Sequence, residues 1–357
     1  MSVLPRSIRS SLFFTCVIAG CVPGVGLPPG FQPGSSFQTA TLITLDANGK
    51  ASISGNITGN KVDVLDLGPM APGDRVIVTV KPTAGSSLDP VAALFDANQE
   101  LFALNDDVNF EAGMIDSAIN DVVVTATARF FFAITRFPLG SQEGAYDATI
   151  EVVRGQAMPA PPAQVLLLNF AGGSVTIPGE GTINVNAFDA AEIDAAYAGQ
   201  TAVIKAKIIE IVEAAFASTG IEVVSSDDPM QPSNPFSTIL FGGFSQTKFG
   251  VAQDVDTGNQ DRCDDGIVFT EDFDKPFAMQ PTVEGIGVAI GNVAAHEAGH
   301  LLGLNHVADV TDLMDTTGSA STLLANQIFK TSRLASSVFP IGLQNGPAML
   351  NRVIPSP

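Results

Sequence analysis

All three histidines of this 357-residue chain lie in one short run, His296-Glu297-Ala298-Gly299-His300-Leu301-Leu302-Gly303-Leu304-Asn305-His306. On a helix, positions four apart lie about 40° apart in projection, so His296 and His300 can offer two imidazoles to a single ion. Glu297 then sits beside the ion without ligating it, where a general base for a metal-activated water belongs. Gly303 can take the left-handed conformation that ends a helix and turns the chain. His306 can therefore return from the following loop as a third ligand. Three neutral imidazoles leave the fourth position of a tetrahedral zinc open to water, which is the pattern of a catalytic site rather than a closed structural one. The chemistry implied is hydrolysis.

The full string, HExxHxxGxxH, is longer than the generic zinc-helix motif, and here the chain resembles the metzincin clan of zinc endopeptidases. The clan carries a methionine turn beneath the zinc. In Thr311-Asp312-Leu313-Met314-Asp315, Met314 stands eight residues after His306, a spacing similar to that of the matrixin-like short-loop families. The resemblance implies an α+β catalytic domain with a twisted mixed sheet and a zinc-binding active-site helix. It also implies an edge strand lining the cleft near Gly250-Val251-Ala252-Gln253, to which an extended polypeptide substrate would add. A tyrosine zinc ligand is not expected, because the two tyrosines, Tyr146 and Tyr197, both precede the motif.

The elements that must position this site read as follows. Val165 to Phe170 is a buried-type strand, and Ala202 to Ala217 has a helical apolar period. Strand-like runs follow at Ile221 to Ser225, Thr238 to Phe241, Phe249 to Asp254 and Ile267 to Phe273. The active-site helix is expected over about Gly287 to Leu302, and a last helix near Ser321 to Leu334. The catalytic domain would span 164–357, after a proline-rich linker at 154–163.

Residues 38–153 show short β-type runs at Lys61 to Leu67, Arg75 to Lys81, Val91 to Asp96, Val122 to Thr127, Phe130 to Thr135 and Ala145 to Val153, which predicts an all-β, antiparallel sandwich or jelly roll. This segment resembles the bacterial pre-peptidase C-terminal domain. The resemblance rests on an opening Gly55-Asn56-Ile57 turn, Gly73-Asp74-Arg75-Val76, Leu88-Asp89-Pro90 with Leu94-Phe95-Asp96, Asn105-Asp106-Asp107, and a closing Gly144-Ala145-Tyr146 strand. That domain usually follows its peptidase, whereas here it precedes it. A spacer or a substrate-binding module are both open to it. Asp89, Asp106 and Asp107 read first as solvated turn carboxylates, with structural calcium as the alternative. The acidic stretch Asp254, Asp256, Asp264, Asp265, Glu271, Asp272 and Asp274 is open to the same two readings.

The N-terminus reads as a lipoprotein signal over 1–20: Arg6 and Arg9, an apolar run from Leu12 to Ile18, then Ile18-Ala19-Gly20-Cys21. Cys21 is expected to be lipidated, followed by a Pro/Gly-rich tether over 21–37. The expected location is the bacterial cell envelope, as an extracytoplasmic lipoprotein of the outer membrane or cell surface, with secretion as the variant. Cys263 would then be the lone thiol, so no intramolecular disulfide is expected. With Lys+Arg 17 against Asp+Glu 37, the net charge of −20 argues against nucleic acid as a partner. No stretch reaches the ~20 apolar residues of a membrane span. Oligomeric state is open and a monomer is assumed.

The reading is a zinc-dependent endopeptidase with Glu297 as base and His296, His300 and His306 as ligands. Two rivals are a non-catalytic surface lipoprotein that binds peptide or polysaccharide, and a zinc amidohydrolase acting on a non-peptide amide.

Overall fold

The computed structural model describes residues 33–109, 112–233, 235–274 and 276–357. The expected export signal and Cys21 lie outside these. Chain order begins with nine strands: β1 (Thr41–Leu42), β2 (Lys50–Ile57), β3 (Asp63–Asp66), β4 (Arg75–Pro82), β5 (Pro90–Phe95), β6 (Leu101–Asn105), β7 (Ser117–Val122), β8 (Phe131–Arg136) and β9 (Gly144–Val153). They form two sheets, ordered β1-β3-β8-β5-β6 and β2-β9-β4-β7. Strand β4 shows why they pack: Val76, Val78 and Val80 alternate inward and are fully buried. Ile53, Ile57, Leu65, Ala92, Leu94, Phe132, Ile134, Tyr146 and Ile150 close the core between the sheets.

Several expectations are corrected here. Gly55-Asn56-Ile57 is not a turn but the end of β2, paired with Tyr146, Ala145 and Gly144 of β9. Gly55 is needed there because a Cβ would enter the Tyr146 ring. The strand expected at Val122 to Thr127 lies earlier, over Ser117–Val122, in register with β4. The sandwich is not wholly antiparallel, since β1 runs parallel to β3. The last residues of the expected tether are docked as well. Gly34 bridges Val64, and Phe37 sets its ring edge-on against Phe95 and Phe131, 5.1 Å from each.

The rest of the chain forms β10 (Val165–Asn169), the hairpin β11 (Gly173–Ile177) and β12 (Gly181–Val185), α1 (Thr201–Phe216), β13 (Glu222–Ser225), β14 (Ser237–Phe241), β15 (Gly250–Ala252), β16 (Asp265–Val268), α2 (Val283–Leu301), β17 (Thr331–Arg333), β18 (Leu343–Asn345) and α3 (Gly346–Val353). The main sheet is ordered β13-β10-β14-β16-β15, parallel except for its antiparallel edge strand β15. It is a mixed sheet with two helices packed on it. Helix α1 buries Ile204, Ile208, Val212 and Phe216, a single face at four-residue spacing.

Two segments differ from the sequence reading. The run to Phe273 stops being a strand at Val268 and becomes a 3-10 turn, Thr270–Phe273, because Asp272 caps the backbone N–H groups of Ser245 and Gln246. No long helix covers Ser321 to Leu334. A 3-10 turn, Ala320–Leu324, is followed by extended chain and β17, because the Asn292 side chain donates to the Leu323 and Ala325 carbonyls, each at 2.8 Å. The C-terminal helix is α3.

Helix α2 begins at the N-cap Thr282, whose hydroxyl accepts from Gly285 N–H, and is buried along most of its length. Gly287 and Gly291 face α1, where an added Cβ would lie 2.7 Å from the Cβ atoms of Lys207 and Ile211. The two helices are therefore closer than ordinary side chains allow. Gly291→Ala should lower stability by up to about 2 kcal/mol, since overpacking of about 1–3 kcal/mol is set against the ~1 kcal/mol that alanine gains in helix propensity. Denaturant unfolding of the two proteins checks this.

Candidate metal centre and cleft

The buried end of α2 carries His296, Glu297 and His300. The helix then stops in a Schellman turn, in which Gly303 N–H donates to the His300 carbonyl and Leu304 N–H to the Gly299 carbonyl, both at 2.9 Å. Gly303 has φ +87, and a Cβ there would meet the Asp256 carbonyl at 2.8 Å. Glycine is thus required twice over, for the turn and for the loop seated on it. The turn brings His306 back so that its Nε2 lies 2.9 Å from that of His300, while the Nε2 atoms of His300 and His296 are 3.1 Å apart.

These distances test whether an ion fits. His296 Nδ1 is 2.6 Å from the Leu313 carbonyl and His300 Nδ1 is 2.7 Å from the Leu304 carbonyl. A carbonyl can only accept, so both Nδ1 atoms carry the proton and both Nε2 atoms are bare. Two bare lone pairs at this distance repel each other unless a cation lies between them. The three imidazoles also stay neutral: burial, with His306 nearby, lowers His296 to about 4, and burial takes His300 and His306 below their ordinary value. The set fits a zinc-type ion.

Met314 is fully buried, and an added Cβ on Gly299 would lie 2.6 Å from its sulfur. The methionine therefore packs directly under the helix turn between the first two histidines. The same turn supplies the Leu313 carbonyl to His296, and it is held by Asp312, which accepts from Met314 N–H at 3.0 Å and from the Ser332 hydroxyl at 2.6 Å.

A cleft of about 670 Å³ opens over the histidines. One wall is Thr247 to Ala252, and the other includes Val293, Leu313, Thr316, Leu323 and Gln327. Gly250, Val251 and Ala252 come together with Glu297 as expected, on edge strand β15. Gln253 does not join them. Its side chain turns away, donating to the Thr176 carbonyl and accepting from Asp265 N–H, so it ties the β11 hairpin to β16. Glu297 is buried against Gly250, where a Cβ would stand 2.5 Å from its carboxylate. Burial raises Glu297 to about 8, against the pull of an Ala252 backbone hydrogen bond and the Lys248 charge. Burial between the helix and the edge strand is thus what sets its proton affinity.

Three residues near the site were not anticipated. Asn292, one turn before His296, is a polar position in an apolar helix face, and that break in the pattern is its sequence signal. Asp315 follows the methionine and its charge favours protonated His306. Gln344 hydrogen-bonds to Asn305, and nothing in the linear sequence links the two. Cys263 is exposed and does not line the cleft.

In the sandwich, the reading of Asp89, Asp106 and Asp107 as solvated carboxylates is corrected. Their oxygens lie within 4.8 Å of one another, and the Oδ1 of each is buried without a hydrogen-bond partner. Among the described residues, the acidic stretch from Asp254 to Asp274 forms no comparable group. Burial, then the charges of Asp107 and Asp89, raises Asp106 from 3.8 to about 7. The folded state thus holds a proton that the unfolded chain has released. The stability this group contributes is present below its ordinary value and is lost as pH rises through about 7. The buried histidines slope the opposite way, so the difference between wild type and Asp106→Asn isolates the effect. Thermal unfolding across this window should show Asp106→Asn gaining steadily on wild type. Calcium that stabilises wild type but not the variant near pH 7 would identify an ion site in the trio.

Residues 244–328 match the sequence model of the matrixin peptidase family, a span that holds β15, β16, α2, all three histidines and Met314. No curated protein matches the chain. Similar solved structures include the pre-peptidase C-terminal domain of a Bacillus anthracis collagenase (14% identity, 32% of this chain and 93% of that one, TM-score 0.23). A periplasmic inhibitor of g-type lysozyme from Aeromonas hydrophila aligns at 9% identity over 32% of this chain and 95% of its own, with TM-score 0.26. The archaemetzincin of Methanopyrus kandleri aligns at 14% identity over 46% of this chain and 87% of its own, also with TM-score 0.26. At scores this low none of the three bears on fold or activity. The matrixin match, lying over the histidine cluster, supports a zinc metallopeptidase.

Proposed function

We propose that this chain is a zinc endopeptidase of metzincin type that hydrolyses peptide bonds of extracytoplasmic proteins. The observation that carries the reading is the pair of bare Nε2 atoms on His296 and His300, 3.1 Å apart, with the His306 Nε2 beside them under an open cleft. The three imidazoles would hold the ion, and Met314 would pack beneath it. When bound, zinc supplies Lewis acidity toward the scissile carbonyl and toward water.

The protein's own groups do the rest. β15 pairs with β16 along one edge, and no described strand pairs with its other edge, where an extended substrate would add beside the Ala252 N–H that meets Glu297. That pairing would set the scissile bond over the histidines, and the pocket toward Leu323 and Gln327 would receive the next side chain. Glu297 accepts a proton as the water oxygen bonds to the carbonyl carbon, then returns it to the nitrogen as the C–N bond breaks.

Glu297→Gln preserves shape and removes the base. It should lower kcat by about 10²–10⁴-fold while zinc content stays unchanged. Mass-spectrometric mapping of cuts in a peptide library, with wild type and a chelator-treated control, measures this. A Glu297→Gln protein as fast as wild type would overturn the mechanism.

The location belongs to the same proposal. Its support is Arg6, Arg9, the apolar run and Ile18-Ala19-Gly20-Cys21, which together read as a lipidation signal. In a bacterial host, the full chain should incorporate labelled fatty acid and partition into membranes. Cys21→Ser should abolish both, and label retained by that variant would refute the anchor.

A further inference from the structure

We infer that the β-sandwich positions the third metal ligand, acting through Gln344. This rests on the zinc reading above. His306 sits beyond the helix, in a segment with no helical hydrogen bonds of its own, so its placement must be imposed from outside. On its N-terminal side, Asn305 is held by a single buried amide. Asn305 N–H donates to Gln344 Oε1 and Gln344 Nε2 donates to the Asn305 carbonyl, both at 2.7 Å. On its C-terminal side, the His306 carbonyl accepts from Ala335 N–H at 3.0 Å and Ala308 N–H donates to the Arg333 carbonyl. Gln344 is 1% exposed, so these two bonds have no competition from water.

Gln344 is the middle residue of β18, which pairs with β17 on one side and is also held by the sandwich. Leu343 N–H donates to the Gln99 carbonyl at 2.9 Å, and Asn345 Nδ2 donates to Glu100 Oε2 at 3.0 Å. Just before the strand, Gly342 lies on the Phe95 ring, where any Cβ would clash, and Phe339 stands 5.6 Å from Phe95, centroid to centroid. The residues flanking Gln344 on both sides are thus fixed by the loop between β5 and β6. Gln344 passes that placement to Asn305, and Asn305 is covalently bonded to His306. The sandwich is therefore packed against the metal-site part and not joined to it by the linker alone. It completes the support of the metal site, and Gln344 is a positioning residue.

The test uses the full chain. Gln344→Met keeps the volume and removes both hydrogen bonds, whereas Glu100→Ala removes a sandwich contact remote from the histidines. Zinc affinity is measured by chelator competition, and the ligand geometry by the visible spectrum of the cobalt-substituted protein. Gln344→Met should weaken zinc binding by about 10–100-fold and shift the cobalt band. Glu100→Ala should move both readouts in the same direction by less, and it keeps the test intact if Gln344→Met does not fold. Folded variants with wild-type zinc affinity and an unchanged cobalt band would overturn the inference. Wild-type protein that takes up neither metal would instead overturn the zinc reading, and this inference with it.

Discussion

His296 and His300 present bare nitrogens to each other because two backbone carbonyls hold the opposite ring nitrogens in their protonated form. That repulsion is the constraint around which the catalytic part is built. It requires the Leu313 carbonyl to be brought up from the methionine turn and the Leu304 carbonyl to be folded back by the turn at Gly303. Both carbonyls come from outside the helix, so the helix alone cannot set the tautomers. The packing of Met314 under Gly299 and the Asp312–Ser332 hydrogen bond keep the first carbonyl in place.

Burial serves this arrangement in two opposite ways. It lowers the imidazoles, so they remain neutral and able to bind a cation, and it raises Glu297, so the carboxyl holds its proton more tightly. One dry pocket thereby shifts all four side chains toward their neutral forms. A bound dication would draw Glu297 back toward its ionised form, since an adjacent positive charge favours a carboxylate. The edge strand contributes a glycine at the point of closest approach, which allows the carboxyl to lie between the helix and the strand.

The two parts of the chain share a single buried layer. Phe37, Phe95 and Phe131 from the sandwich belong to the same apolar cluster as Phe339, Leu334 and the interior face of α2. A sandwich attached only by a flexible linker would show no such continuity. Its contacts reach α3, through Arg352 with Asp121 and Phe102, and β18, the strand whose central side chain reaches the loop of His306.

The motif residues were legible in the sequence because helix periodicity and one obligatory glycine turn are local properties. His296, Glu297, His300 and Gly303 follow from geometry within a few residues. The strands with strict apolar alternation, such as β4, were legible for the same reason. Where a distant partner decides, the sequence misled. Gly55 read as a turn, yet it is a strand residue making room for Tyr146. The segment near Ser321 to Leu334 read as a helix, yet the Asn292 amide takes two of its carbonyls. Gln253 read as part of the cleft edge, yet Thr176 and Asp265 draw its side chain away. The acidic trio read as solvated, although the sandwich folds three carboxylate oxygens into one dry spot. The sequence by itself determined which groups could do chemistry, since that depends on side-chain type and local spacing. Tertiary structure decided their tautomers, their proton affinities and the hold on His306, because burial and long-range hydrogen bonds exist only once distant segments have packed.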